Sequence, residues 1–295
     1  TPSGPKPSIT RTRYHGSLEG GGAVVRLVFI DMDDTFVGPD KTIPRDNLRI
    51  LDVAAERGVQ FVPCTGRSLR GVPRELVAHP SVRYAVCGGG ALVYDVRSGE
   101  IIREVPIAKE LVRSLYDDVR DQRVTFDLFT PEGVFASREH LPLYNQIEMT
   151  EATRRMVVSQ RTFVDCDTEE LIERTPTICR VNVLFGDERG RRVTWDAVEA
   201  RPELFCASSI PMNVEVTSVE ATKGTALVWL CERLGVDVAD TVAFGDSGND
   251  VAMLDVAGDA VAMENASPEV KAHARHVAPR CELAGVARYL EPLLV

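Results

Sequence analysis

Five short runs of this chain, "VVRLVFI", "VQFVPC", "RYAVC", "TVAFG" and "DAVAME", are almost without polar residues. A strand with one wet face alternates apolar and polar side chains. A run that does not alternate needs cover on both faces, the condition of a parallel sheet between two helical layers. The segments between the runs supply that cover. In "TIPRDNLRILDVAAERG", Pro44 suits a first helical turn, Gly58 lies just past the end, and Leu48, Leu51 and Ala55 fall on one stripe. "SLRGVPRELVAH" continues the βαβαβ order as a short helix. Toward the end, "KGTALVWLCERLG" is a helix stopped by Gly235, "NDVAMLDVAG" is another, and "SPEVKAHA" has Ser267 as its N-cap and Pro268 behind it. "ELAGVARYLEPLL" closes the chain as a helix. The expected frame is α/β, a doubly wound parallel sheet of the Rossmann-like kind.

The middle has another rhythm. "ALVYDVRSGEIIREVPI" reads as a hairpin turning at "RSGE", and "AKELVRSLYDDVRDQ" as an amphipathic helix. "TFDLFT", "GVFAS", "ICRVNVLFG" and "ELFCASS" are short strands, with helical patterns near 168–174 and 190–200. This predicts an inserted α+β domain over residues 105–208, between core halves at 24–104 and 209–295. Residues 1–23, rich in Pro, Gly and Ser and without an apolar stretch, are expected to be a flexible leader.

The formal net charge is −10, which argues against nucleic acid or an anionic membrane as the main partner. No apolar run is long enough to span a bilayer. The seven cysteines form no CxxC pair and several sit in strand-like runs, so free buried thiols in a reducing cytoplasm are expected. The five histidines form no zinc pattern. Oligomeric state is not legible.

Ligands of open parallel sheets bind beyond the carboxyl ends of strands. The first strand ends in "DMDDT", with Asp31, Asp33 and Asp34. The second is followed by Thr65 in "CTGRS", a later helix begins at Lys223, and "TVAFG" runs into "DSGND", with Asp246, Asn249 and Asp250. Brought to one edge, the acids would repel one another and resist burial. A divalent cation resolves this, and oxygen-only ligation points to Mg²⁺. Lys223 and Thr65 then make sense as contacts to a phosphoryl group. The i, i+2 spacing of the acids at 31 and 33 suits phosphoryl transfer: one carboxylate attacks phosphorus in line, the other protonates the leaving alcohol and later deprotonates water.

"DMDDT", "TGR", "KG" and "GDSGND", in this order and spacing, resemble the four motifs of the haloacid dehalogenase-like phosphatase superfamily. The insert lies between the second and third motifs, which resembles the branch with a C2B cap, often termed Cof-type. The similarity covers residues 25–290. It implies that Asp31 is the nucleophile and Asp33 the general acid/base, which also gives Mg²⁺ its main-chain oxygen. It implies further that Asp246 ligates the metal with Asp250 in or beside its shell. Thr65, in its "TGR" loop with Gly66, and Lys223 would bind the phosphoryl group, and Asn249 would contact the phosphate. The sequence departs from the usual pattern at "CGGGA", where Gly89 stands in place of an asparagine, and at "CELAGVA".

The implied activity is a Mg²⁺-dependent phosphatase acting through an aspartyl-phosphate on a small phosphorylated metabolite such as a sugar phosphate. A phosphomutase of the phosphomannomutase type and a non-catalytic phospho-ligand-binding relative are the alternatives. In the insert, Arg180 is a lone cation in an apolar strand pattern. Strand alternation sets it on the polar face with Asn182, opposite Cys179, Val181 and Val183. That face looks either to solvent or into the active-site cleft, where Arg180 would contact a second anionic or hydroxyl-rich group of the substrate.

Overall fold

The computed structural model describes residues 25–208 and 210–295; the expected leader lies outside them. The first sheet has eight strands: β1 (Leu27–Asp31), β2 (Gln60–Cys64), β3 (Tyr84–Cys87), β4 (Leu92–Asp95) and β5 (Glu100–Glu104) from the first part of the chain, and β12 (Thr241–Gly245), β13 (Asp259–Met263) and β14 (His276–Ala278) from the last. Their order is β14-β13-β12-β1-β2-β3-β4-β5. The six strands from β14 to β3 are parallel, and the β4–β5 hairpin adds an antiparallel edge. Every residue of β1 is buried, as a strand without alternation requires. Val28 and Ile30 join the core on the face covered by helices Arg45–Glu56 and Gly285–Leu294. Leu27 and Phe29 join the core on the other face, under helices Lys223–Leu234 and Val251–Val256.

The second sheet is built from β6 (Asp127–Thr130), β7 (Gly133–Ser137), β8 (Arg161–Val164), β9 (Arg180–Leu184), β10 (Leu204–Ala207) and β11 (Asn213–Ser218), in the order β10-β11-β9-β6-β7-β8. The expected return to the core at residue 209 is too early. Strand β11 is paired antiparallel to both β9 and β10, so the insert runs through Ser218. Val181, Val183, Val214 and Val216 pack on one face of this sheet beneath helices Lys109–Val119, Thr168–Arg174 and Glu188–Glu199. Alternation sends Arg180, Asn182, Asn213 and Glu215 to the opposite face, which closes over the carboxyl ends of β1 and β2.

Candidate active site

Asp31 is the last residue of β1, and β1 lies between β2 and β12. Residues that leave the carboxyl ends of these neighbours therefore converge on it. Thr65 follows β2, donates its N–H to Val86 at 2.8 Å, and accepts from the Arg67 N–H at 3.1 Å through its hydroxyl. Asp246 follows β12, and its Oδ1 accepts from the Thr35 hydroxyl at 3.0 Å. Lys223 opens its helix, where the Thr222 hydroxyl caps the Thr225 N–H at 3.0 Å. The lysine side chain is fully buried, and its Nζ donates to Asp31 and, at 2.7 Å, to Asp250 Oδ1. The other Asp250 oxygen accepts the N–H groups of Asp246 and Ser247, each at 3.0 Å, which closes the "DSGND" turn. Asn249 Oδ1 accepts from Ser247 Oγ at 2.8 Å and lies 3.5 Å from Lys223 Nζ.

The electrostatics are strained by burial. Desolvation, followed by the Asp250 charge, raises Asp31 well above the usual carboxylate value. The same two causes push Asp246 up to about 7. Burial would lower Lys223, but the carboxylates of Asp250 and Asp31 outweigh it and hold the ammonium charged. Asp31, Asp246 and Asp250 each offer an oxygen, all within 4.8 Å of one another. Hard oxygen donors crowded around one lysine fit a divalent cation of the Mg²⁺ type.

Asp33 stands outside that group of three carboxylates. Its side chain is bound by Arg67, with Nε at 3.0 Å, and by Lys41 at 2.8 Å. Burial acts to raise its pKa, but the two cations prevail and lower it. The sequence marks "TGR" as a loop without pointing to Asp33 as the arginine's partner, and Lys41 carries no motif. Gly66 offers its carbonyl to Arg180, which is 4% exposed and so excludes the solvent-facing alternative. Arg180 also pairs with Glu215 at 3.1 Å and covers the Phe129 ring at 4.0 Å from its centroid. Together these groups line a cavity of about 140 Å³ with Asp31, Asp33 and Thr65 at its floor and Arg180, Asn182, Asn213 and Glu215 at its roof. The other three roof residues carried no signal in the sequence beyond the alternation of β9 and β11.

The four motifs thus converge from separate regions onto one sheet edge beneath a second sheet. The model of the haloacid dehalogenase-like hydrolase family matches residues 28–290, and the chain belongs to that family. Within it the protein is a phosphatase of the Cof type. It is 30% identical over 277 residues to YxeH of Bacillus subtilis (strain 168), covering 92% of this chain and 98% of that one. It is 27% identical over 270 residues to the HMP-PP phosphatase of Escherichia fergusonii, covering 90% and 95%. The HAD subclass IIB sugar phosphatase BT4131 has the same fold, with a TM-score of 0.78 at 19% identity over 92% of this chain and all of that one.

Proposed function

We propose that the protein is a Mg²⁺-dependent phosphatase that removes the phosphoryl group of a small phosphorylated metabolite by way of a phosphorylated Asp31. The observation that carries this reading is the triple contact of Lys223, Asp31 and Asp250 at the end of β1, with Asp246 and Thr65 beside it. Such a constellation has one nucleophilic carboxylate held next to a fixed cation. Asp31 attacks phosphorus in line, and Lys223, Thr65 with Gly66, and Asn249 hold the phosphoryl oxygens. Asp33 passes a proton to the leaving alcohol and then takes one from the attacking water. Arg67 and Lys41 favour its ionised form before substrate enters, so the proton that Asp33 passes to the alcohol is brought in by the substrate's phosphate monoanion, and the carboxylate that remains takes one from water. Asp31, Asp246, Asp250 and the main-chain oxygen of Asp33 would hold Mg²⁺, which supplies charge neutralisation at the phosphoryl oxygens. The sheet over the cavity acts as a cap, spanning residues 105–218. The HMP-PP and sugar phosphatases among its relatives favour a small phosphorylated metabolite as substrate, and the acidic composition speaks against nucleic acid or an anionic membrane as partner. Among the described residues no helix is long and apolar enough to cross a membrane; the acidic composition and free thiols favour a cytoplasmic place of work.

The test is release of inorganic phosphate from acetyl phosphate and from sugar phosphates. Activity is expected with Mg²⁺, to vanish in excess EDTA, and to return with Mg²⁺ but not with Ca²⁺, whose looser coordination misplaces an in-line attack. Asp31→Asn is expected to fold and to be inactive, because an amide does not attack phosphorus. Wild-type turnover in that variant, or in chelator, refutes the reading.

A further inference from the structure

The roof of the cavity is a chain of buried polar side chains whose direction is set from one end. Asp127, with no exposed surface, can only accept. It takes Arg161 Nε at 2.9 Å, Arg161 Nη2 at 2.6 Å, Asn182 Nδ2 at 3.0 Å and the Tyr144 hydroxyl. The Asn182 amide nitrogen is thereby turned to Asp127 and its oxygen to Asn213, whose Nδ2 donates to it at 2.9 Å. The same Asn213 nitrogen reaches Glu215 Oε1 at 3.4 Å, and Arg180 Nη2 lies 3.1 Å from that oxygen. Arg180 ends the chain on the Gly66 carbonyl, in the loop that carries Thr65.

The charges in this roof are matched. Arg161 is paired with Asp127, and Arg180 with Glu215. An anionic group entering the cavity finds both guanidinium groups already compensated by buried carboxylates, and lies beside Glu215 where charges are poorly screened. A hydroxyl group meets a different surface, because carboxylate and amide oxygens accept from it. The Arg180 Nε–H is buried without an acceptor among the described residues, which leaves one donor for a ligand oxygen. Phe129 is the one aromatic ring among the described residues lining the cavity, and the Arg180 guanidinium covers it, so a flat ring finds no open stacking surface on it.

We propose that Glu215 is a specificity-determining residue that restricts the site to esters of small, uncharged, hydroxyl-bearing leaving groups and turns away leaving groups that carry a second phosphate or a carboxylate. This rests on the phosphatase reading above. By neutralising Arg180, Glu215 removes the cation that a second anion would need. Arg180 remains a positioning residue that ties the cap to the Thr65 loop.

The wild-type enzyme with Mg²⁺ is assayed for phosphate release from glucose 6-phosphate and sorbitol 6-phosphate, against fructose 1,6-bisphosphate and 6-phosphogluconate. Acetyl phosphate, too small to fill the roof, is the reference. The expected kcat/KM is at least about ten-fold higher for the neutral pair. Glu215→Gln keeps the shape of the side chain and leaves Arg180 uncompensated; it is expected to shift the ratio of anionic to neutral substrates upward by about ten-fold or more. A wild-type preference for the bisphosphate or the phosphogluconate overturns the proposal, and so does an unchanged ratio in a folded Glu215→Gln protein. The wild-type ranking stands whether or not that variant folds. Turnover of acetyl phosphate without the preference sinks this proposal alone, whereas release from no ester sinks the phosphatase reading and this proposal with it.

Discussion

Lys223 is the residue on which the site's charges balance. It has no exposed surface and is, among the described residues, the one side chain bonded to both Asp31 and Asp250. Removing one partner of a buried ion pair leaves the other charges uncompensated, at a cost of about 3–5 kcal/mol. Lys223→Met, similar in length and apolar, is therefore expected to lose that much stability in denaturant unfolding and to release no phosphate. The stability loss should shrink when Mg²⁺ is added, because a cation restores part of the missing positive charge. An unchanged unfolding midpoint would show that the buried carboxylates do not depend on the lysine. Sequence motifs marked Lys223 because it opens a helix beside a glycine. They did not reveal that its Nζ is bound by Asp31 and Asp250, since those partners lie far away along the chain.

Among the elements, the "GGG" turn after β3 connects two parts of the site. Gly89 donates its N–H to the Thr65 carbonyl at 3.0 Å, and Gly90 approaches the start of the Lys223 helix. A Cβ on Gly90, whose φ is +119°, would lie 2.2 Å from the carbonyl carbon and oxygen of Thr222. Backbone cannot yield as a flexible side chain does, so Gly90→Ala must shift the Thr222 cap and Lys223 with it. The expected result is a loss of about 1–3 kcal/mol of stability and about a hundred-fold loss of kcat/KM, since a shift near 1 Å suffices for that. Gly99→Ala is the control: φ there is +77°, with nothing within 4 Å of the added Cβ. It should show only the cost of the left-handed backbone, about 1–2 kcal/mol, with kcat/KM unchanged. Equal activity losses in both variants would remove the turn from the site.

At the scale of the whole molecule, three carboxylates from two strand ends are held together by folding before any cation binds. A cation that binds only the folded state stabilises it by mass action, about 2.7 kcal/mol at a hundred times its Kd. Thermal unfolding is therefore expected to move to higher temperature with Mg²⁺ and back again with EDTA. Asp246→Ala should reduce the response, and a Tm indifferent to Mg²⁺ in the wild-type protein would count against a metal at these residues. The same tertiary arrangement sets the roof of the cavity, where β9 and β11 place Arg180 and Glu215 side by side.

The sequence by itself determined the parallel core and the floor of the site. Unalternating apolar runs need cover on both faces, and polar residues directly after such runs must emerge at one edge of the sheet; both consequences are local and follow from periodicity. The outer strands were harder to read. β14 has only three residues, two of them exposed, and β8 shows no fully buried face. In β11, Val214 and Val216 alternate with polar residues, yet those polar residues are buried too. Only the tertiary structure decided that the polar face of β9 turns to the cavity, that Arg67 and Lys41 hold Asp33, and that Arg180 is matched by Glu215. Alternation tells which residues share a face of a strand. What that face meets depends on the packing of one sheet over another, and on charges far apart in the chain brought within bonding distance.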